Sequence, residues 1–259
     1  MHSQEHRLEA VFAQNKRAGR HTLIGYLTAG DPRCPDTVEL AFKMKDAGVD
    51  IVELGVPYSD PLADGPVLQE AATRALSAGV TPDRVLAMAA AIQSRSDLPV
   101  VLLVYYNTVH HYGLESFAKA AEAAGVDGLV IPDLPLEERA PLMEVLGPVA
   151  LIPLVALSSG SRIPAILEGA RGFVYCVSSR GVTGERDTFG QEVPAFLEEV
   201  RRHTELPLAV GFGISRREHV ELFAHLADGV IVGTALMKKA SLHPEDPGEV
   251  LRYIREELR

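Results

Sequence analysis

The sequence predicts a (β/α)8 barrel, in which eight parallel strands are surrounded by helices. Short apolar runs alternate with longer amphipathic stretches along the 259 residues, and about 250 residues is a usual length for one such barrel. Helical patterns lie between most of the apolar runs, so consecutive strands are expected to be joined by crossovers and to pair in parallel. No low-complexity linker or block of charge divides the chain, and we expect residues 1–259 to form one domain.

The predicted strands are apolar runs at residues 22–27, 50–54, 100–105, 128–131, 150–154, 172–177, 208–211 and 229–232. Helical patterns lie between them at residues 37–47, 66–78, 82–94, 114–124, 194–203 and 216–226. A weak repeat supports this division, because Ala-Gly-Val-Asp occurs at 47–50 and again at 124–127, with looser copies at 170–172 and 227–229. Glycine after a last helical turn is a common left-handed cap.

Two further segments have predicted roles. Residues 2–18 carry Leu8, Val11 and Phe12 at helical spacing, which predicts an extra helix against the N-terminal end of the barrel. Residues 178–193, after strand six, are polar, contain three glycines and show little periodicity. A long loop after a barrel strand is a candidate lid.

Composition excludes several classes of function. A net charge of −10 argues against nucleic acid as a partner, since phosphate backbones are bound by basic patches. The two cysteines, Cys34 and Cys176, are far apart in sequence and are expected to be reduced thiols. Without an apolar run of membrane-spanning length or the layout of a signal peptide, the chain is expected to be cytoplasmic, with no membrane contact.

Reacting groups in barrel enzymes lie where strands end, and Glu53 holds such a position in Ile51-Val52-Glu53-Leu54-Gly55. Its apolar flanks should desolvate the carboxyl and raise its pKa, which suits a group that both gives and takes a proton. The structural alternative is a glutamate paired with a basic neighbour. No other predicted strand carries a carboxylate so deep in an apolar run.

The proline-rich loop at residues 57–66 follows Glu53 and contains two more carboxylates, Asp60 and Asp64. Asp60 precedes a proline and fits turn formation. Asp64 precedes Gly65 and the next predicted helix, so its structural alternative is helix capping. The loop alone leaves the role of Asp64 open between capping and chemistry.

Three later loops have glycines that would let a phosphate approach backbone N–H groups. They are 181–184 after strand six, 211–215 after strand seven and 233–235 after strand eight. In many barrels the last two loops and a helix N-terminus bind phosphate. Three such turns in this order predict a phosphate site, with tight turns alone as the alternative.

Absences narrow the chemistry further. All six lysines lie outside the predicted strands, which disfavours a Schiff-base aldolase. Histidine, aspartate and glutamate do not cluster at metal-ligand spacing, and neither a nucleophile elbow nor a dinucleotide fingerprint occurs. The sequence therefore predicts cofactor-free, metal-free carboxylate chemistry on a phosphorylated substrate.

The run from Val52 to Pro66, VELGVPYSDPLADGP, resembles the signature of the tryptophan synthase alpha subunit family. The likeness extends over nearly the whole chain and includes LTAGDP at 27–32, YYN at 105–107, PDLP at 132–135, GVTG at 181–184 and GFGIS at 211–215. The resemblance implies retro-aldol cleavage of indole-3-glycerol phosphate to indole and glyceraldehyde 3-phosphate, within a barrel fold.

The resemblance also implies roles for individual residues. Glu53 matches the catalytic glutamate that moves protons, and Asp64 matches a second catalytic carboxylate that accepts the indole N–H bond and stabilises positive charge on the ring. Residues that match substrate positions are Tyr26, Leu103, Tyr175, Thr183 and Phe212. Residues that match phosphate positions are Gly184, Gly213, Gly233 and Thr234.

A pyridoxal-phosphate beta subunit in an alpha2-beta2 complex is the implied partner, and the loops at 57–64 and 178–193 would form the interface and lid. The pyridoxal phosphate would belong to that partner and not to this chain. The sequence departs from the family pattern at Arg180, which is displaced by one residue, at Thr234, where serine is usual, and at Gly25 and Leu157. A free-standing lyase, an allosteric binding partner of the beta subunit and another phosphate-sugar barrel such as an isomerase are the alternatives.

Overall fold

The structure is a computed structural model that describes residues 6–31, 37–178, 184, 189–211, 213–242 and 247–259. Its strands are β1 (Thr22–Thr28), β2 (Ile51–Gly55), β3 (Val100–Leu103), β4 (Gly128–Val130), β5 (Ala150–Leu151), β6 (Leu154–Ala156), β7 (Val174–Val177), β8 (Leu208–Gly211) and β9 (Gly229–Val232). Its α-helices are α1 (Arg7–Arg17), α2 (Thr37–Ala47), α3 (Pro66–Ser77), α4 (Pro82–Arg95), α5 (Tyr106–Tyr112), α6 (Leu114–Ala123), α7 (Ala140–Val145), α8 (Ile163–Leu167), α9 (Glu192–Arg201), α10 (Arg217–Phe223), α11 (Thr234–Leu242) and α12 (Gly248–Tyr253). A π-helical turn over Ile254–Leu258 follows α12.

All strand pairs are parallel, and the sheet order is β5-β4-β3-β2-β1-β9-β8-β7-β6. Its two end strands, β5 and β6, are consecutive in the chain and are separated only by Ile152 and Pro153. The Ile152 N–H donates to the Leu129 carbonyl (2.8 Å), and the Pro153 carbonyl accepts from the Tyr175 N–H (2.9 Å). One continuous segment therefore closes the sheet into a barrel, and the predicted (β/α)8 fold is confirmed.

The interruption at Pro153 corrects the prediction of a single fifth strand at 150–154. Proline lacks the N–H that a ladder needs, so two short pairings replace one strand. The third strand also ends earlier than predicted, at Leu103, and α5 begins at Tyr106 where no helix was predicted.

Helix α1 lies against the N-terminal end of the barrel, as its apolar spacing predicted. Leu8 and Phe12 are buried, and Phe12 contacts the ring of Phe173 with centroids 5.6 Å apart. The Glu9 carboxylate accepts the Gly172 N–H (2.9 Å), which joins α1 to the entrance of β7. Its burial against strand starts explains why α1 has an apolar stripe.

The repeated aspartates have a structural function at this same end. Each precedes a strand and accepts the N–H of the first or second residue of a neighbouring strand: Asp50 from Leu23 (2.8 Å), Asp127 from Val100 (2.9 Å) and Asp228 from Leu208 (2.9 Å). Each is also paired with arginine, in the pairs Arg259–Asp50, Arg7–Asp127 and Arg201–Asp228. The repeat therefore stabilises strand entrances and lies away from the strand ends where chemistry is expected.

Alternation along the strands determines which side chains enter the barrel. Tyr26 pairs in register with Glu53, and Glu53 with Val101, so these three side chains share one face. Leu103 lies two residues after Val101 and has the same orientation.

Among the described residues, no single helix is long and apolar enough to cross a membrane. The helices α3 and α4, which are bent relative to each other by 101°, have the length and composition of a membrane span only when they are taken together.

Candidate active site

A pocket lies at the carboxyl ends of the strands. Its lining comes from several strands and the loops that follow them. The lining residues are Tyr26, Glu53, Asp64, Leu68, Leu103, Tyr175, Gly184, Gly213, Ile214, Ile231, Gly233 and Thr234. Nine of these are residues for which the sequence or the family resemblance predicted a role in the site, and the structure brings all nine into one cavity.

Two glycines make room for the tyrosine rings of the pocket. A Cβ on Gly55 would lie 2.1 Å from the Tyr26 hydroxyl, and one on Gly211 would lie 2.6 Å from the Tyr175 ring. Real Cβ atoms do not approach so closely, so any larger residue would displace these rings. Gly55 at the end of β2 and Gly211 at the end of β8 therefore determine the shape of the pocket.

Glu53 points into this pocket from β2 and is 2 % exposed. Among the described residues, no group donates a hydrogen bond to its carboxyl or forms an ion pair with it. Burial, with a smaller contribution from the negative charge of Asp64, raises the pKa of Glu53 from 4.5 to about 8. The carboxyl is therefore mostly protonated at neutral pH, and no basic neighbour pairs with it within the part of the chain that is described.

Asp64 is also buried, but its carboxyl has a partner. The Tyr105 hydroxyl donates to Asp64 Oδ2 at 3.2 Å, and burial raises the pKa of Asp64 to about 6 although this hydrogen bond lowers it. Helix α3 is capped by Gly65, without a side-chain cap. The capping role considered for Asp64 is thus absent, and its carboxylate faces the pocket instead.

The pocket has a negative electrostatic character on this side. Burial and the nearby carboxyls hold the pKa values of Tyr26 and Tyr175 well above their usual range, so both hydroxyls stay protonated. Among the described residues, no cation contributes to the pKa shift of either carboxyl. Within the described residues, no group of three or more His, Cys, Asp or Glu side chains could hold a metal ion.

The predicted phosphate positions Gly184, Gly213, Gly233 and Thr234 line the same pocket. Gly233 and Thr234 are at the start of α11, where the Met237 N–H donates to the Gly233 carbonyl (3.0 Å). An α-helix leaves its first N–H groups without a helical acceptor, and the start of this nine-residue helix therefore suits an anion. Of the predicted site residues, Thr183 and Phe212 lie outside the described residues, as does the displaced Arg180.

Several residues in or next to the pocket were not predicted to act there. Leu68, Ile214 and Ile231 supply apolar wall, and Tyr105 holds Asp64. Tyr105 lies just beyond the end of β3, and strand ends are where functional groups collect in barrels, so its position was a usable signal. Leu68 gave no such signal, because a leucine one turn into a helix is ordinary core composition.

The fold and this site define a (β/α)8 barrel with an acid/base pocket at the carboxyl ends of its strands. The chain matches the tryptophan synthase alpha chain family profile over residues 12–258. It is 45 % identical over 248 residues to the tryptophan synthase alpha chain of Alkaliphilus metalliredigens, covering 95 % of this chain and 92 % of the relative. It is 49 % identical over 220 residues to that of Geobacillus kaustophilus, covering 83 % and 82 %.

A solved structure gives the same result. The tryptophan synthase of Mycobacterium tuberculosis includes a chain that superposes with a TM-score of 0.86 at 36 % identity, covering 97 % of this chain and 99 % of that one. The chain belongs to the tryptophan synthase alpha chain family. The resemblance found in the sequence is confirmed by these comparisons.

Proposed function

We propose that this chain cleaves indole-3-glycerol phosphate to indole and glyceraldehyde 3-phosphate, as the alpha subunit of tryptophan synthase in tryptophan biosynthesis. The observation that carries the proposal is that Glu53, which is mostly protonated at neutral pH and has no hydrogen-bond or ion-pair partner among the described residues, lies with Asp64 in one pocket bounded by glycine turns. Membership of the alpha chain family supports the lyase class. The substrate is the one that the family resemblance implies, and the individual steps are assigned to these side chains from their chemistry.

Glu53 acts as the proton carrier. Its neutral carboxyl gives a proton to indole C3, which leaves a carboxylate and a positive charge delocalised towards the indole nitrogen. The carboxylate then takes the proton of the glycerol hydroxyl next to the ring. As that hydroxyl becomes an aldehyde, the C–C bond breaks and its electrons return to the ring as indole. Glu53 ends each cycle protonated, so no cofactor is consumed.

Asp64 acts on the charge that appears between these two proton transfers. With a pKa of about 6, it is ionised at neutral pH while Glu53 is not. Its carboxylate accepts the indole N–H and stabilises the cationic ring in a desolvated pocket, where such interactions are strong. Two carboxyls with separated pKa values thus have two roles.

The rest of the pocket binds the two ends of the substrate. Leu103, Tyr26 and Tyr175, with Leu68 and Ile231, enclose the indole ring by apolar contact. The N–H groups at Gly184, Gly213, Gly233 and Thr234 bind the phosphate, aided by the dipole of α11. Thr234 in place of serine leaves its backbone N–H in position, so the change is mild. Thr183 and Phe212 are assigned to the substrate from the family resemblance.

The partner is a beta subunit in an alpha2-beta2 complex. The loop that ends in Asp64 supports this assignment, because Leu62 is 82 % exposed on its outer side, two residues from the catalytic carboxylate. An exposed leucine so close to a site favours contact with another subunit. Pyridoxal phosphate is assigned to that subunit, and this chain needs no cofactor for the chemistry described above.

Indole formation from indole-3-glycerol phosphate by the purified chain, with and without a beta subunit, tests the proposal. We expect equal amounts of indole and glyceraldehyde 3-phosphate, and faster turnover when the beta subunit is added. Turnover that the beta subunit leaves unchanged would favour a free-standing lyase. No indole under either condition, with the beta subunit still bound, would overturn the proposed activity and leave an allosteric binding role.

A further inference from the structure

Tyr105 connects the end of β3 to the loop that carries Asp64. The residue is 2 % exposed, and its hydroxyl lies between two groups of this loop. The Ala63 N–H donates to it at 3.0 Å, and it donates to Asp64 Oδ2 at 3.2 Å. An amide N–H can only donate and an ionised carboxylate can only accept, so these two contacts orient the hydroxyl proton towards Asp64.

The tyrosine ring is held independently of its hydroxyl. It stacks on Tyr58 with centroids 5.1 Å apart and an angle of 23° between the planes. The Tyr58 hydroxyl in turn accepts the Asn107 side-chain amide at 3.2 Å. Tyr105 therefore contacts both the beginning of the loop, at Tyr58, and its end, at Ala63 and Asp64. Its hydroxyl position is fixed by packing as well as by hydrogen bonding.

The surroundings of Asp64 make this one hydrogen bond important. Among the described residues, the titratable groups that interact with Asp64 are Glu53 on β2, Tyr26 on β1, Tyr175 on β7 and Tyr105 itself. All four are neutral in the arrangement described above, and none of the described cations contributes to the pKa of Asp64. Within the described residues, Tyr105 is thus the one side chain that donates a hydrogen bond to the Asp64 carboxyl. Burial, left alone, would favour the protonated form.

We propose that Tyr105 is a positioning residue, which keeps the Asp64 carboxylate ionised and oriented to accept the indole N–H. The inference rests on the proposed function and deepens it. Tyr105 is not among the residues that line the pocket, so we assign its effect to its hydrogen bond with Asp64. Its own pKa is raised by burial and by Asp64, which keeps it a donor throughout the pH range of catalysis.

Tyr105→Phe tests the proposal, because phenylalanine keeps the stacked ring and removes only the hydroxyl. Hydrogen bonds to charged groups are worth enough to expect a fall in kcat/KM of about 10- to 100-fold. The acidic limb of the kcat/KM profile should move to higher pH, since Asp64 then ionises less readily. Tyr112→Phe is the matched control: it removes another tyrosine–aspartate hydrogen bond, that between Tyr112 and Asp83 (2.7 Å), on an exposed part of α5. Its profile should stay that of the wild type.

A double-mutant cycle with Asp64→Asn separates positioning from a general structural role. If Tyr105 acts through Asp64, adding Tyr105→Phe to Asp64→Asn should change kcat/KM by less than about twofold. Additive losses, or an unmoved acidic limb, would overturn the proposal. A carbon-13 NMR titration of the Asp64 carboxyl in wild type and Tyr105→Phe needs no turnover. A higher pKa of Asp64 in Tyr105→Phe than in the wild type supports the inference, even if the wild type fails to cleave indole-3-glycerol phosphate. The same Asp64 pKa in both proteins contradicts it.

Discussion

The buried carboxyl of Glu53 should reduce the stability of the folded chain as the pH rises, and Glu53→Gln should remove this dependence. One unit of pKa difference corresponds to about 1.4 kcal/mol. A rise from 4.5 in an accessible carboxyl to about 8 in the barrel therefore corresponds to about 5 kcal/mol. Glutamine has nearly the same shape and does not ionise, so the difference between the two proteins isolates this one group.

The sign follows from where each state binds the proton. The folded chain holds it up to a pH of about 8, whereas the unfolded chain releases it near 4.5. Between these values the folded state binds more protons, so the stability of the wild type falls with rising pH relative to the variant. The difference should be constant below the lower value, grow by about 1.4 kcal/mol per pH unit between the two, and be constant again above the upper one.

Denaturant unfolding of both proteins at intervals from pH 5 to pH 9 measures this difference. Glu70→Gln is the matched control, because it makes the same substitution at an exposed glutamate of α3. A Glu53→Gln difference that stays flat across the range would refute the reasoning. It would mean that Glu53 is ionised in the folded state, and the proton-carrier mechanism would lose its acid.

Three further predictions concern activity and packing. The pH profile of wild-type kcat/KM should be bell-shaped, rising as Asp64 ionises near 6 and falling as Glu53 loses its proton near 8; a profile flat between pH 5 and 9 would contradict the assignment of acid and base. Asp64→Asn should cost about 2.7–4 kcal/mol of transition-state stabilisation, measured as kcat/KM, and an unchanged value would remove Asp64 from the mechanism. Gly211→Ala should cost about 1–3 kcal/mol of stability by displacing the Tyr175 ring. Gly184→Ala, which adds its methyl group to open space, should cost none, and equal denaturation midpoints for the two glycine variants would argue against the clash.

The barrel could be predicted from the sequence because its signal is local and repeated. Apolar runs, amphipathic stretches and helix-ending glycines recur along the chain, so the pattern of one strand and helix supports the assignment of the next. Pro153 shows the limit of this approach. The sequence shows that Pro153 lacks an N–H. Only the hydrogen bonds of Ile152 with β4 and of Tyr175 with Pro153 show that the segment 150–156 pairs with both β4 and β7. Helix α5 was missed because its residues, YNTVHHY, show little apolar periodicity.

The candidate site divides in the same way. Glu53 was found from its own neighbours, since an acid within an apolar strand needs no tertiary information to be unusual. The capping and chemical roles of Asp64 could not be separated locally, because the deciding contact comes from Tyr105, 41 residues later. The rings of Tyr26 and Tyr175 fit because Gly55 and Gly211 have no side chains. These contacts are between different strands, so the alternation of residues along a single strand does not predict them.

Turnover by Glu53→Gln is the decisive measurement of whether Glu53 carries the proton. Single-turnover release of indole from bound indole-3-glycerol phosphate, measured with the binding affinity of the same variant, separates chemistry from binding. Indole release should fall by about 10²- to 10⁴-fold, as for loss of a general acid–base group, while substrate affinity changes little. Indole release near the wild-type rate would show that another group carries the proton and that Glu53 is not the acid.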